Sequence, residues 1–407
     1  MDEWKKPVNF LADMERIISL VEDEYHKNNK IIFESESIRA GIHFNNVRRA
    51  LKAWRKSNVC MVPGCSSASI VRSHAIPKSM SLVPVAEAGH LLTPSFDQKN
   101  GFLKMQKVSV SDATTFPGFC KFHEKLFEGF EINKNISEPR HVLLQIYRAG
   151  CRELFRCDSI LKDVRETIAE YVELRDKGLS RLIVEYAHKI GATVNLQGAS
   201  VSMDQDPLVA DAENKIESVT ELQNELRLNL IPALERAVFQ GDDAGLAIKA
   251  LQIDMAFPIA LTGVGTFVIK ADACQSEVIA LIGVVPQDSC TTLFIASAAA
   301  NEQYLDDYLK YWCRHALGFL SMVESWMVNG TDQWFITPSV WSALSSERQE
   351  KILEKIISSE QNIGQDCNMS IFDELRKSII RDTEAVNAGV TNPNGLAYMV
   401  NEKNKLL

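Results

Sequence analysis

The sequence has no long hydrophobic run, few prolines and glycines, and no overall excess of positive charge. Its 407 residues include 13 Pro and 20 Gly, too few for a collagen-like or low-complexity chain. Hydrophobic residues make up 46% of the chain, whereas disordered chains bury too little apolar surface to offset their ordering entropy. The most apolar stretch, residues 257–285, is interrupted by Lys270, Asp272 and Glu277, so no segment reaches the roughly 20 apolar residues that span a bilayer. These absences predict a globular protein without a membrane role.

The N-terminus and the cysteine count exclude two further classes. Met1-Asp2-Glu3-Trp4 lacks the positive start and the apolar run of a secretory signal. Nine cysteines, an odd number in a chain of this size, form a poor disulfide framework. We expect a cytoplasmic protein, and in a reducing compartment clustered thiols more often bind metal than pair with one another.

Charge is distributed unevenly along the chain. The formal net charge of −9 combines +5 on residues 1–150, with 21 basic and 16 acidic residues, and −14 on residues 151–407, with 23 basic and 37 acidic residues. Within the first part, residues 39–125 carry 13 basic and 4 acidic residues, a local net charge of +9. The basic segment favours contact with phosphate, whereas the acidic remainder repels a phosphate backbone and is better suited to control or assembly.

Apolar periodicity places helices on both sides of a loop-rich segment. Apolar residues three and four apart predict helices over 10–21, over about 37–56, and from about 141 to 190. Residues 60–135 have no sustained helical period, and their Gly, Pro and Ser residues predict loops and short strands. The polar stretch 197–207 is typical of a linker.

The C-terminal half changes from helical to strand-rich patterns and back. Residues 212–239 and 244–253 are predicted helices, and helices return at about 302–328 and 338–358. Between them, three runs rich in Ile, Val, Phe and Thr predict an antiparallel meander, over residues 257–270, 277–285 and 291–297. Four aromatic residues near these helices are more typical of a core than of a binding site: Trp312, Trp326, Trp334 and Trp341.

Two short knuckles within the basic segment have metal-ligand spacing. Cys60 and Cys65 flank a Pro63-Gly64 reversal, and Cys120 precedes His123 by three residues. Each knuckle turns two side chains toward one point, so two knuckles separated by a longer insert suit a tetrahedral zinc ion. The alternative is two buried free cysteines and an unrelated surface histidine.

The residues between and around the knuckles resemble the HNH, or ββα-metal, endonucleases. In zinc-containing versions of that family, a cysteine pair and a short strand precede a histidine motif that ends in proline, and a second knuckle then begins a helix. Here Ser69-Ile70-Val71-Arg72 matches the strand and His74-Ala75-Ile76-Pro77 matches the histidine motif. Residues 118–127 match the second knuckle and the start of the helix, so the resemblance covers about 65 residues.

This resemblance implies roles for individual residues. His74 matches the general base, which takes a proton from water so that hydroxide can attack a phosphodiester; a hydrogen-bonded core histidine is the alternative. Asn100 is the candidate for the central asparagine of the family. Glu124 is a further candidate catalytic residue. The matching helix offers Glu124, Glu128 and Glu131 as carboxylates, of which Glu124 and Glu128 are the predicted ligands of Mg²⁺ or Mn²⁺, since these ions prefer oxygen. The structural zinc would be held by Cys60, Cys65, Cys120 and His123.

The predicted fold class is α+β, with a small zinc-stabilised ββα module and flanking helices, followed by a mixed α+β C-terminal domain that contains the short antiparallel meander. The predicted segments are N-terminal helices (1–58), a zinc-binding HNH-like module (59–140), a helical segment (141–196), a linker (197–211) and an acidic α+β regulatory or partner-binding domain (212–407).

Basic residues surround the motif and indicate a nucleic-acid partner. Phosphate neutralisation by Lys and Arg supplies most non-specific DNA affinity. The predicted phosphate contacts are Arg72 and Lys78 beside His74, and one face of the second helix: Arg48, Arg49, Lys52, Arg55 and Lys56. A solvated helix face is the alternative interpretation of those five residues.

Two functions are compatible with these patterns. The first is a metal-dependent endonuclease that hydrolyses DNA under the control of its C-terminal half, a layout that resembles bacterial anti-phage defence and mobile-element proteins. The second is a non-catalytic, zinc-stabilised adaptor that binds a protein or a nucleic acid. We expect DNA as the partner, a protein partner or a second copy of the chain on the C-terminal half, and no membrane.

Overall fold

The computed structural model describes residues 15–21, 23, 52, 54–97, 102–191, 193, 194, 196, 206–271, 274–358 and 362–381. It confirms the α+β class, with helices before, between and after antiparallel strands along the chain. No helix in these ranges combines the length and the apolarity needed to cross a bilayer.

The described strands form one small and one large antiparallel sheet. The small sheet pairs β1 (Ser73–His74) with β4 (Thr115–Phe116). The large sheet has seven strands in the order β3-β2-β9-β6-β7-β8-β5. Its members are β2 (His90–Asp97), β3 (Phe102–Ser109), β5 (Leu246–Ile253), β6 (Ile259–Ala271), β7 (Cys274–Pro286), β8 (Thr291–Ala298) and β9 (Trp334–Ile336). The predicted meander is confirmed, because β7 pairs antiparallel with both β6 and β8.

Helices precede, connect and follow these strands. They are α1 (Glu128–Asn133), α2 (Pro139–Lys189), α3 (Pro207–Asn224), α4 (Ile231–Gln240), α5 (Glu302–Trp312), α6 (Ala316–Ser325), α7 (Pro338–Ser342), α8 (Ser346–Ser358) and α9 (Asp373–Arg381). Shorter helical turns cover Lys78–Leu82, Val83–Val85, His123–Phe127, Glu225–Leu230, Ala299–Asn301 and Trp326–Gly330. The long helix α2 agrees with the apolar period predicted from about 141 to 190.

The main core joins the large sheet to the C-terminal helices. Trp312, Trp326, Trp334 and Trp341 all belong to it, which confirms that they are core residues. The indole N–H of Trp334 donates to the carbonyl of Met327 at 2.8 Å, so the polar edge of this buried ring is satisfied.

A second apolar cluster attaches residues 59–140, which we call the knuckle segment, to the same sheet. Ile76 and Leu91, from the segment 59–140, pack with Ala260 of β6 and Phe335 of β9. Helix α2 also lies close to the sheet, since a Cβ at Gly150 would meet the side chain of Leu281 at 3.2 Å. The histidine motif therefore packs against strands β6 and β9, which come from the C-terminal half of the chain.

The chain forms two compact units, residues 1–53 with 158–220 and residues 54–157 with 221–407. In the first unit, Ile17 and Val21 pack with apolar residues of α2, Leu179, Leu182 and Ile183. The second unit contains the whole large sheet. Residues 59–140 thus share one sheet with the half of the chain that the sequence assigns to a separate regulatory domain.

Three predicted local structures are wrong. Residues 244–253 include strand β5, because pairing with β8 outweighs the helix propensity of Ala, Leu, Lys and Gln. The strand predicted at 69–72 is displaced to β1, and Val71 and Arg72 lie in a turn. Residues 207–211 of the predicted linker begin α3, because the Asp206 carboxylate accepts the N–H of Leu208 at 2.9 Å and Pro207 occupies the first helical position. Residues 197–205 of that linker and 37–51 of the basic helix lie outside the described residues.

Candidate metal centre and adjoining cleft

Four predicted ligands converge on one point, which we call the metal centre: Cys60, Cys65, Cys120 and His123. Their ligand atoms all lie within 4.8 Å of one another. The Sγ atoms of Cys60 and Cys120 are 3.3 and 3.4 Å from Nδ1 of His123. In the part of the chain that the structure describes, this is the one group of three or more His, Cys, Asp or Glu side chains that could hold a metal ion. The convergence predicted from the knuckle spacing is confirmed.

Backbone hydrogen bonds shape the first knuckle and join it to the second. The N–H of Cys65 donates to the carbonyl of Val62 at 3.1 Å, and Gly64 between them has a φ of +73°, a left-handed value that favours glycine. The N–H of Met61 donates to the carbonyl of Gly118 at 2.9 Å. The two knuckles are therefore held together by main-chain hydrogen bonds as well as by their ligand side chains.

The donor set of three sulfurs and one imidazole suits a tetrahedral thiophilic cation. Zinc bonds of about 2.3 Å to sulfur and about 2.0 Å to nitrogen separate neighbouring ligand atoms by roughly 3.5–3.8 Å. Three of the ligand-atom pairs are separated by 3.3 Å (Cys60 and His123), 3.4 Å (Cys120 and His123) and 4.0 Å (Cys65 and Cys120), and all four ligand atoms lie within 4.8 Å of one another. Burial raises the pKa of the Cys60 thiol to about 11, against the opposing effect of backbone N–H groups. A bound cation would displace that proton, because the metal ligand is the thiolate.

The candidate base His74 lies on β1, between the two knuckles in sequence. The strand pairs His74 with Thr115 of β4, and the imidazole Nδ1 lies 3.0 Å from the carbonyl oxygen of Ala113. A carbonyl only accepts hydrogen bonds, so Nδ1 carries the proton and Nε2 keeps a free lone pair. Burial lowers the pKa of His74 to about 4, and the positive charges of Arg148 and Lys78 act in the same direction. The imidazole is therefore neutral near pH 7.

His74 lines a solvent-accessible cleft of about 320 Å³. Its other lining residues are Arg72, Lys78, Ser79, Val83, Glu124 and Glu131. Arg72 is exposed and pairs with Asp112 at 3.2 Å, while the amine of Lys78 donates to the hydroxyl of Ser111 at 3.0 Å. Two cationic side chains and two carboxylates thus surround one candidate base.

The two carboxylates of the cleft share a single guanidinium. Nη1 of Arg148, on α2, donates to Oε1 of Glu131 at 2.6 Å, and Nη2 lies 3.5 Å from Oε2 of Glu124. The other oxygen of Glu124, Oε1, is buried. Burial raises the pKa of Glu124, while the charge of Arg148 and the hydroxyl of Ser73 lower it.

The structure brings together part of the predicted catalytic set. His74 and Glu124 line the same cleft, whereas Glu128 is exposed and does not line it. Glu131, the third carboxylate that the matching helix offers, lines the cleft. Asn100 lies outside the described residues.

The predicted phosphate-contacting residues fall in three places. Arg72 and Lys78 line the cleft. Lys52, Arg55 and Lys56 are exposed. Arg48 and Arg49 lie outside the described residues.

Sequence reasoning missed the contribution of α2 to the cleft. The amide of Gln145 donates to the carbonyl of Ala75 at 2.8 Å, directly after His74, and Arg148 reaches the two carboxylates. Both side chains are fully buried. Their signal in the sequence was two polar residues three apart, hence on one helix face, within an otherwise apolar helical run.

Comparisons with known proteins identify no relative. No protein-family model, no curated protein and no solved structure matches this chain. Function therefore has to be inferred from the metal centre and the cleft.

Proposed function

We propose that this protein is a metal-dependent endonuclease that hydrolyses DNA phosphodiester bonds in the cleft. His74 is the general base, and the metal centre holds a structural zinc ion. The observation that carries the proposal is the position of His74: its Nδ1 hydrogen-bonds to the carbonyl of Ala113, and the residue lines a cleft together with Arg72 and Lys78.

The proposed chemistry begins with a water molecule next to His74. Nε2 takes a proton from this water, and the resulting hydroxide attacks the phosphorus of a phosphodiester held by Arg72 and Lys78. The P–O bond to the leaving deoxyribose oxygen breaks, and that oxygen takes a proton from solvent. A neutral imidazole is the competent form, which agrees with the lowered pKa of His74.

A divalent cation fits beside Glu124 better than at the predicted Glu124–Glu128 pair. Mg²⁺ and Mn²⁺ commonly bind through one or two carboxylates, with water and phosphate oxygens completing the coordination. The carboxylates of Glu124 and Glu131 both line the cleft, whereas Glu128 is exposed and does not line it. When bound, the cation would stabilise the negative charge that develops on the phosphate oxygens.

Plasmid nicking by zinc-loaded full-length protein with Mg²⁺ or Mn²⁺ tests the proposal. We expect His74→Ala to lower the rate by about 10²–10⁴-fold, the usual contribution of a general base. His90→Ala is a matched control, because Nδ1 of His90 also contacts a main-chain carbonyl, that of Ala88 at 2.8 Å, but His90 does not line the cleft. Wild-type protein that never cuts with either metal, or a His74→Ala variant that cuts as fast, contradicts the proposal.

One observation favours the second candidate, a zinc-stabilised adaptor without chemistry. Among the described residues no second group of three metal-ligating side chains converges, and both cleft carboxylates already contact Arg148. An adaptor would bind its protein or nucleic-acid partner equally well with His74→Ala and would show no metal-dependent cutting. Filter binding of a DNA duplex, measured on the same two proteins as the nicking assay, separates these functions.

A further inference from the structure

Helix α2 supplies two buried polar side chains to the cleft from outside the knuckle segment. Arg148 contacts the carboxylates of Glu124 and Glu131, and Gln145 contacts the main chain directly after His74. Gln145 and Arg148 are three residues apart, so they project from one face of the helix. One helix face therefore contacts both the acidic wall of the cleft and the strand that carries the candidate base.

The guanidinium of Arg148 is held in a fixed plane. Its Cζ lies 3.8 Å from the centroid of the Phe127 ring, a cation–π stacking distance, and the side chain is 1% exposed. The planar donors of arginine hold carboxylates in a defined geometry that a lysine ammonium cannot reproduce. The carboxylates of Glu124 and Glu131 contact this buried guanidinium, and their side chains are 20% and 28% exposed.

Stability alone is a weak explanation for this buried charge. Removing two opposite charges from water costs free energy that their attraction often fails to recover, and apolar replacements of such pairs are frequently neutral or stabilising. Both carboxylates also remain part of the cleft lining, which a role in stability alone does not require.

We infer that Arg148 is a positioning residue of the cleft: it fixes the carboxylates of Glu124 and Glu131 in the cleft wall, where they would bind a divalent cation. This inference rests on the proposed endonuclease function and adds to it a required residue outside the 59–140 segment. Helix α2 is then part of the catalytic apparatus, and the knuckle segment does not form a complete site by itself.

The test uses the zinc-loaded full-length chain and two substitutions that separate charge from geometry. Arg148→Lys keeps the positive charge and loses the planar donor pair, and Arg148→Met loses the charge and keeps an unbranched stem. Arg165→Met is the matched control, since Arg165 is an exposed arginine of the same helix that does not line the cleft. Zinc content and thermal unfolding establish that each variant is folded.

Two readouts are measured on each folded variant: kcat and KM for DNA cleavage with Mn²⁺, and the Mn²⁺ dissociation constant from electron paramagnetic resonance. Misplacing a catalytic group by about 1 Å can cost roughly 10²-fold in rate. We expect kcat to fall about 10- to 100-fold in Arg148→Lys, with KM changed less than about threefold and Mn²⁺ affinity nearly unchanged. Removing the positive charge in Arg148→Met should tighten Mn²⁺ binding roughly three- to tenfold while kcat still falls.

A purely structural role would not produce tighter Mn²⁺ binding together with slower cleavage. If wild-type protein cuts DNA and folded Arg148→Lys cuts at the same rate, the positioning inference is wrong and the proposed function stands. If wild-type protein does not cut DNA with Mg²⁺ or Mn²⁺, both are wrong. Should Arg148→Met fail to fold, Arg148→Lys alone decides the inference.

Discussion

The metal centre and the core of the large sheet differ in the kinds of residue and structure that form them. Around the metal centre, regular structure is limited to the two-residue strands β1 and β4, a helical turn and the short helix α1. Around the sheet, strands of up to 13 residues and helices enclose four buried tryptophans. Four side chains that could hold a metal ion converge in the first region, whereas the second is organised around buried apolar surface.

This difference indicates why the candidate site lies where it does. In a loop-rich segment, main-chain carbonyls outside the large sheet can hydrogen-bond to side chains, as the carbonyl of Ala113 does to His74. The large sheet supports the site through the packing of Ile76 against Ala260 and Phe335. Mutations in the two regions should consequently separate metal content from global stability.

The largest expected effect follows removal of a metal ligand. Cys120→Ser removes one of three sulfurs, and structural zinc sites contribute on the order of 10–16 kcal/mol in isolated zinc-finger peptides. We expect bound zinc to fall from about one per chain to a small fraction, with loss of cleavage, as measured by elemental analysis and nicking. Cys290→Ser is the control, since this half-buried cysteine lies outside the metal centre, and it should keep full zinc. Equal zinc in both variants would show that the knuckles do not form the site.

A core substitution should have the opposite profile. Trp334→Ala removes a fully buried ring whose N–H bonds to Met327, and we expect a decrease of about 3–5 kcal/mol in the free energy of unfolding. Zinc content of the folded fraction should stay unchanged. Tyr311→Ala, at a side chain that is 57% exposed, should change stability by less than about 1 kcal/mol. Urea unfolding with elemental analysis checks both; zinc content that falls in proportion to stability would mean that the two regions are not separable.

A smaller effect is expected from the protonation of His74. The folded protein lowers its pKa from 6.5 to about 4, so the unfolded chain binds the proton more readily between these values. The free energy of unfolding therefore has its full value above pH 6.5, where His74 is neutral in both states. It decreases as the pH falls toward 4, by an amount on the order of 1–3 kcal/mol. In His74→Gln, urea unfolding between pH 4 and 7 should show a shallower decline of stability than wild type. His90→Gln should follow wild type, and equal slopes in all three proteins would contradict the burial of a neutral His74.

The smallest effect concerns the exposed basic residues before the first knuckle. Removing one cation that neutralises a DNA phosphate should reduce the slope of log K against log salt by about 0.7–0.9. We expect that reduction for Lys56→Met in DNA binding measured by fluorescence anisotropy. Lys249→Met is the control, because Lys249 is already paired with Glu302 and Asp306. An unchanged slope for Lys56→Met would mean that this residue belongs to a solvated face.

The metal centre was predictable because its four ligands occur as two pairs, each within a few residues of the sequence. Two knuckles with fixed spacing specify four ligands, and turn geometry then directs each pair toward one point. The meander was predictable for a similar reason, since three apolar strand patterns follow one another with short connections. Long helix α2 was predictable from its period alone.

The composition of the cleft was less predictable because it depends on residues distant in sequence. Arg148 is 24 residues from Glu124 in sequence, and nothing in the spacing of α2 shows that it reaches the cleft. Strand β5 has the composition of a helix and becomes a strand only because β8 is available to pair with it. The choice between Glu128 and Glu131 depends on the rotation of α1, which its packing determines.

The central claim is that Nε2 of His74 removes the proton from the attacking water. Its most direct test is chemical rescue: single-turnover cleavage of a DNA duplex with Mn²⁺ by zinc-loaded His74→Ala, with and without added imidazole. We predict that the variant is slower than wild type by about 10²–10⁴-fold and that imidazole restores part of the missing rate, with no effect on wild type. Cleavage by the variant at the wild-type rate, or a slow folded variant that imidazole does not accelerate, would contradict that role.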